Sequence, residues 1–209
     1  GICHFNVCGM GETLIPKEIV PYIKVMLENG HSVMIVTNGL LTDRFEQMMK
    51  FPQELKDRLG FKFSFHFLEL KRLNQLDTFF ENVELARQNG CSISVEITAN
   101  DTYEPYIEEI KDICMKKLGA LCHVSVPRND SSTRIELMSK HTYEEFYDIW
   151  KTFESPMFEF KMRHWGEKRN EFCHAGEWSG MLNIATGSLI SCSCQKGTYQ
   201  NIFDNVNGK

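Results

Sequence analysis

Two hydrophobic periods take turns along the first three quarters of this chain. Short runs that are continuously apolar or alternate with period two lie at Ile2–Val7, Ser32–Thr37, Phe61–Phe67, Cys91–Ile97 and Leu121–Val126, and they read as strands. Between them apolar residues recur three and four apart, the spacing of an amphipathic helix. The first such series is Ile19, Tyr22, Ile23, Met26 and Leu27, and the second is Phe45, Met48 and Met49. A third runs through Leu76, Phe79, Phe80, Val83 and Ala86, and a fourth through Ile107, Ile110, Cys114 and Leu118. Pro16 can open the first helix, with Pro21 in its early turns, and Thr42 or Asp43 caps the second. The helices predicted over 74–89 and 105–118 each stop at a glycine, Gly90 and Gly119. One more amphipathic helix follows over Thr142–Phe153, carrying Phe146, Tyr147, Ile149 and Trp150.

The spacing says more than any single element. Strands after the first start near 33, 61, 91 and 121, a repeat of roughly thirty residues, which is the length of a βαβ unit. Right-handed crossovers repeated in this way give a parallel sheet or a barrel. The expected class is therefore α/β, a partial (β/α) TIM-like barrel of parallel strands; a flat doubly wound sheet is the alternative that periodicity leaves open. Composition changes after residue 154. Pro156 opens a mixed aromatic and basic segment, and glycine-containing, hairpin-like runs follow from Glu171. Two domains are expected, 1–154 for the barrel and 155–209 for a small cysteine-containing β-hairpin extension.

Alternate residues of a strand share a face. In Phe61–Phe67 every odd position is Phe, while Ser64 and His66 point the other way. In the next strand Ile93, Val95 and Ile97 oppose Ser94, Glu96 and Thr98, and in the fifth Cys122, Val124 and Val126 oppose His123 and Ser125. A barrel interior lined by Ser64, His66, Glu69, Glu96, His123 and Arg128 is costly as a core unless it is hydrogen-bonded or holds a polar ligand. A solvated strand face is the plainer alternative. At the end of the first strand stands Gly9-Met10-Gly11-Glu12, where two glycines permit close approach of backbone to a ligand.

Composition narrows the function. The 209 residues are 42% hydrophobic and 24% charged, values of an ordinary globular protein, and no apolar run is long enough to span a bilayer. Net charge is −5, from 23 basic and 28 acidic residues with no basic stripe, which disfavours a nucleic-acid partner. A reducing cytoplasm is the expected compartment, and no membrane partner is expected. Gly1-Ile2 in place of an initiator Met is what a cut chain would show. Of eight cysteines, Cys91, Cys114 and Cys122 sit in apolar patterns and are expected to be inert and buried. Cys173 is followed by thirteen residues, Gly187, four residues, Cys192 and then Cys194. A hairpin over 181–190, turning at Ala185–Gly187, would bring Cys173 and Cys192 to one end, where thiolates can share a metal or cluster. His174 can join a zinc site; a disulfide or spare thiols are the remaining alternatives.

These residues resemble the radical S-adenosylmethionine enzymes with a SPASM or twitch-type C-terminal extension. Gly9-Met10-Gly11-Glu12-Thr13-Leu14 resembles the GGE motif of that family, and Thr37-Asn38-Gly39 the TNG ending of its next strand. Phe63-Ser64-Phe65-His66, then Phe79-Phe80-Glu81-Asn82-Val83 and Gly90, resemble its following strand and helix. Cys173 to Cys192 matches the C-x(9–15)-G-x(4)-C opening of the extension, and Asn201-Ile202-Phe203 resembles its later GNI segment. The resemblance implies S-adenosylmethionine as cofactor, its methionine amino group held by the backbone of the glycine turn. The cofactor residues it implies are Gly9, Met10, Gly11, Glu12, Asn38, Ser64, His66, Glu96 and Arg128. Cys173, Cys192 and Cys194 become the ligands of an auxiliary iron–sulfur cluster. It also implies a [4Fe-4S] cluster on a CxxxCxxC loop, and here the chain departs from the family, since Cys3 and Cys8 have neither the spacing nor the place. The chain is expected to be a piece of a larger enzyme whose first strand and cluster loop lie upstream, and to be inactive by itself. The whole enzyme would be an oxidoreductase or maturase served by an electron donor such as flavodoxin or ferredoxin. Its expected substrate is a peptide or protein. A sugar or polysaccharide precursor is the alternative, as is a non-catalytic binding module with a structural zinc site.

Overall fold

A slab of phenylalanines decides where the main sheet lies. Phe61 and Phe63 project from one side of a central strand and meet Phe45 and Phe79 with ring centroids 5.1–5.8 Å apart, and Phe65 and Phe80 extend the cluster. All but Phe65 and Phe80 are fully shielded from solvent, and those two nearly so. Each such ring contributes roughly 1.5–3 kcal/mol by leaving water, and a helix layer has to cover them.

The computed structural model describes residues 1–129, 136–168, 170–191 and 200–204. Its elements run β1 (His4–Val7), α1 (Ile19–Glu28), β2 (Ser32–Thr37), α2 (Thr42–Met49), α3 (Gln53–Lys56), β3 (Leu59–Ser64), α4 (Phe67–Arg72) and α5 (Leu76–Gln88). They continue with β4 (Ser92–Thr98), α6 (Ile107–Leu118), β5 (His123–Ser125), α7 (Tyr143–Trp150) and α8 (Pro156–Arg163). The five strands form one parallel sheet in the order β1-β2-β3-β4-β5. Every crossover steps one strand in the same direction, without the reversal that a doubly wound sheet requires. The register places Val33, Ile35 and Thr37 of β2, Phe61 and Phe63 of β3, and Ile93, Val95 and Ile97 of β4 on one face. The other face carries Met34, Val36, Lys62, Ser64, Ser94 and Glu96.

The chain forms two compact units, Gly1–Gly166 and Glu167–Lys209. The boundary falls twelve residues later than the change in composition at 154/155, for a local reason. Ser155 caps α8, accepting from the Phe158 N–H at 3.4 Å, and Pro156 stands at the first helical position. Phe158 and Met162, one helical turn apart, are buried, and Tyr147 of α7 stacks on Phe158 with centroids 6.0 Å apart. The aromatic and basic mixture from 155 is thus an amphipathic helix of the first unit. A second difference lies at β3, which ends at Ser64 rather than at 67. Phe67 and Leu70, three apart, are the buried residues of α4, so the period-two reading of Phe65 and Phe67 ran past the end of the strand. In the second unit β6 (Met181–Leu182) pairs antiparallel with β7 (Ser188–Ile190), and β8 (Gln200–Asn201) pairs with β7. Phe172, Trp178, Met181, Ile184 and Phe203 of this unit are exposed.

Candidate functional site

Three strand ends meet beside the glycine turn that leaves β1. Gly11 has φ +99°, a conformation in which any Cβ is strained, and a Cβ there would meet no atom within 4 Å. The Gly9 N–H donates to Thr13 Oγ1 at 3.0 Å, which closes the turn. The Glu12 carboxylate then ties it to β2. Its Oε1 accepts from Thr37 Oγ1 at 2.7 Å and from the Leu14 N–H at 3.0 Å, and its Oε2 accepts from the Asn38 N–H at 2.6 Å. Both carboxylate oxygens are therefore occupied by the loops they join.

The Thr37-Asn38-Gly39 turn is braced from below. Gly39 has φ +77°, and a Cβ there would lie 2.8 Å from the Phe79 ring. Asn82 of α5, only 1% exposed, donates to the Gly39 carbonyl at 2.8 Å and to Thr42 Oγ1 at 3.0 Å. Sequence reasoning did not single out Asn82 as a site residue. Its signal was an amide on the apolar stripe formed by Phe79, Val83 and Ala86. Arg44 adds a bond from Nε to the Leu14 carbonyl at 3.1 Å.

Above these turns opens a cleft of about 330 Å³, lined by Cys8, Gly9, Gly11, Glu12, Thr13, Val36, Thr37, Asn38, Ser64 and His66. Of the residues predicted for the cofactor, Gly9, Gly11, Glu12, Asn38, Ser64 and His66 come together here. Met10 lies in the same turn with its side chain fully in solvent. Glu96 does not line the cleft, but it sits opposite Ser64 in the strand register. Arg128 is exposed, in an isolated bridge with Leu137 beyond β5. Glu69 leaves the predicted interior altogether. It belongs to α4, stands in solvent, and pairs with Arg72 at 2.6 Å, which holds its carboxyl below the usual range. Strand alternation placed it wrongly because β3 had already ended.

The chain shares its fold with a solved protein. It is similar to Streptococcus suis SuiB at TM-score 0.61 and 14% identity, over 96% of this chain and 53% of that one. SuiB bound to S-adenosylmethionine gives TM-score 0.59 at 13% identity, and SuiB bound to precursor peptide SuiA gives 0.59 at 12%, each covering 97% of this chain and 53% of that one. At such identity the likeness is one of fold, and the chain spans about half the length of SuiB. No protein-family model matches the chain, and no curated protein does.

The cleft has the size of a small-ligand site, and its turn offers backbone groups with no side chain in the way. S-adenosylmethionine fits that chemistry. A four-iron cluster does not fit the residues around the cleft, where Cys8 is the one lining thiol among the described residues. Cys173 is an exposed free thiol; Cys192 and Cys194 lie outside the described residues. His174 Nδ1 donates to Glu177 Oε2 at 2.9 Å, and the ring stacks on Trp178 with centroids 4.0 Å apart. Cys91, Cys114 and Cys122 are buried free thiols. A further cluster, Asp101, Glu104 and His141, joins the turn after β4 to the start of α7. Asp101 accepts from Ser139 Oγ at 2.6 Å and the Lys140 N–H at 2.8 Å, and Glu104 has Lys140 Nζ at 3.3 Å, so the group already holds its own cation.

Proposed function

We propose that this chain is part of a radical S-adenosylmethionine enzyme that modifies a peptide or protein. One observation carries the reading: the Gly9–Glu12 turn, braced on Thr37 and Asn38, opens onto Ser64 and His66 at the carboxyl ends of parallel strands. Open α/β sheets and barrels bind ligands at that edge. In this reading the sheet is a segment of a TIM-like barrel and the polar face is its interior. The SuiB structures with S-adenosylmethionine and with SuiA support the cofactor and the peptide substrate.

When bound and reduced by its iron–sulfur cluster, S-adenosylmethionine supplies a radical that abstracts hydrogen. The chain's own residues do the positioning. Backbone groups of Gly9, Met10 and Gly11 meet the methionine end of the cofactor, and Gly11 keeps the approach open. Glu12 fixes the turn against β2, and Asn82 fixes the β2 turn against the aromatic core. Ser64, His66 and Asn38 offer hydrogen bonds along the cleft wall. The cluster ligands belong to an upstream CxxxCxxC segment, with a flavodoxin or ferredoxin as electron donor in a reducing cytoplasm. Cys173, Cys192 and Cys194 serve an auxiliary cluster of a SPASM-like extension that begins after Gly166.

The test uses protein that includes the upstream segment. After anaerobic reconstitution it should show a brown charge-transfer band and release 5′-deoxyadenosine from S-adenosylmethionine under dithionite. Reconstituted, iron-loaded protein that binds the cofactor without cleaving it would remove the proposal.

A further inference from the structure

The polar face of the first unit's sheet does not stop at the cleft. Ser64 lines the cleft and lies opposite Glu96, and Glu96 lies opposite His123. The Glu96 carboxylate, 7% exposed, is taken up by Lys62 Nζ at 2.6 Å, by Ser125 Oγ donating at 3.0 Å and by Ser94 Oγ donating at 3.4 Å. On the far side of Ser125 stands Lys161, half-buried on α8, whose ammonium donates to Ser125 Oγ at 3.5 Å. Burial pushes the Lys161 amine below the ordinary lysine range; the Glu96 charge opposes this, and Lys62 and Arg128 add to it. Among the described residues Glu96 pairs with Lys62, and Lys161 has no carboxylate partner of its own. Two lysines thus share one carboxylate in a chain whose net charge is −5.

An ammonium has three N–H donors and no acceptor. The Ser125 proton is given to Glu96, so its oxygen accepts one long bond from Lys161 and leaves two donors for a ligand. A carboxylate accepts both. A phosphate dianion would bring twice the charge close to Glu96. Ser64, Glu96 and His123 are in register, and Ser125 lies two residues further along β5. Ser64 and Ser125 are therefore roughly 12 Å apart, two strand spacings across and two residues along, so a group held here sits beside the cofactor cleft without filling it.

We infer that Lys161, seated on Ser125 beside the Lys62–Glu96 pair, binds a carboxylate of the substrate, an Asp or Glu side chain of the peptide to be modified. The peptide identity of the ligand rests on the function proposed above; the anion site rests on the geometry alone.

The test is a titration of the chain, with ¹³C-labelled lysine, followed at the lysine ε-methylene signals and assigned with Lys161→Arg. Acetyl-Ala-Glu-Ala-amide should shift the Lys161 signal saturably, and acetyl-Ala-Gln-Ala-amide should not. Lys161→Met, which keeps the apolar stem, should weaken the Glu peptide about tenfold or more, while Lys161→Arg retains most binding. Equal shifts from both peptides, no shift at all, or undiminished binding by a folded Lys161→Met protein would overturn the site. Inorganic phosphate binding more tightly than the Glu peptide would overturn the carboxylate assignment. S-adenosylmethionine, titrated into the chain labelled also with ¹⁵N and read at the Gly9–Gly11 amides, separates the two proposals when set beside the Lys161 response to the Glu peptide. A cofactor response at Gly9–Gly11 with Lys161 silent overturns the anion site alone. A Lys161 response with the glycine turn silent supports the site and counts against the cofactor reading.

Discussion

Glu12 is the residue on which the geometry of the cleft turns, and replacing it with Gln changes one atom. The carboxylate accepts three bonds: Leu14 N–H and Thr37 Oγ1 on one oxygen, Asn38 N–H on the other. A Gln amide offers one oxygen. If its NH₂ faces Asn38, two donors meet at 2.6 Å. If it faces the other way, the Leu14 N–H loses its acceptor and Thr37 must reverse its bond. Either orientation strands a backbone N–H and removes a charge-assisted bond, a loss of about 1.5–3 kcal/mol. For a unit of this size each kcal/mol lowers Tm by about 2–4 °C, so the expected fall is roughly 3–12 °C. Thr37→Val in the same background should cost less than it does alone, because the two share one bond. Thermal and denaturant unfolding of the two single variants and the double variant measure this, with S-adenosylmethionine affinity by calorimetry as a second readout. Glu12→Gln within about 0.5 kcal/mol of the parent, with additive effects and unchanged affinity, would refute the bracing role.

Gly11→Val should abolish cofactor affinity in calorimetry and lower stability by about 1–3 kcal/mol, since φ +99° strains any side chain although no neighbour blocks it; retained affinity would count against the turn. Asn82→Ala should cost about 2–4 kcal/mol in denaturant unfolding, leaving the Gly39 carbonyl unpaired and a void in a buried place, and Asn82→Asp should not restore it. Maleimide at pH 8 should label the exposed Cys3, Cys8 and Cys173 in the native protein and leave Cys91 untouched, because burial pushes its thiol up to about 11. That raised value also carries a sign: the protonated thiol favours the folded state below the ordinary thiol range, and the contribution is lost as pH rises toward 11. Fast labelling of Cys91, or a stability curve flat from pH 8 to 11 in a Cys91→Ala comparison, would contradict the burial argument.

The period of two and the thirty-residue spacing made the five strands legible, because a strand buried on one face must alternate and a βαβ unit has a fixed length. The glycine turn and Thr37-Asn38-Gly39 were legible as a pair only through their resemblance to known motifs; that Glu12 joins them could not be read from residues 25 apart. Lys62 shares the face of Ser64 and was there to be found, flanked by Phe61 and Phe63, but the aromatic alternation drew attention to the opposite side. Lys161 was hidden for a different reason. Its helix is eight residues long, its apolar stripe is only Phe158 and Met162, and the aromatic and basic residues around it read as the start of the extension. Glu69 shows the reverse error, a polar position placed inside by carrying strand alternation past a helix start.

The central claim is that the turn at Gly9–Glu12 is a cofactor cradle, and amide NMR of this chain titrated with S-adenosylmethionine tests it most directly. The account predicts saturable shifts confined to residues 8–13, 37–39, 64 and 66, all lost in Gly11→Val; shifts scattered elsewhere, or none at millimolar cofactor, would contradict it.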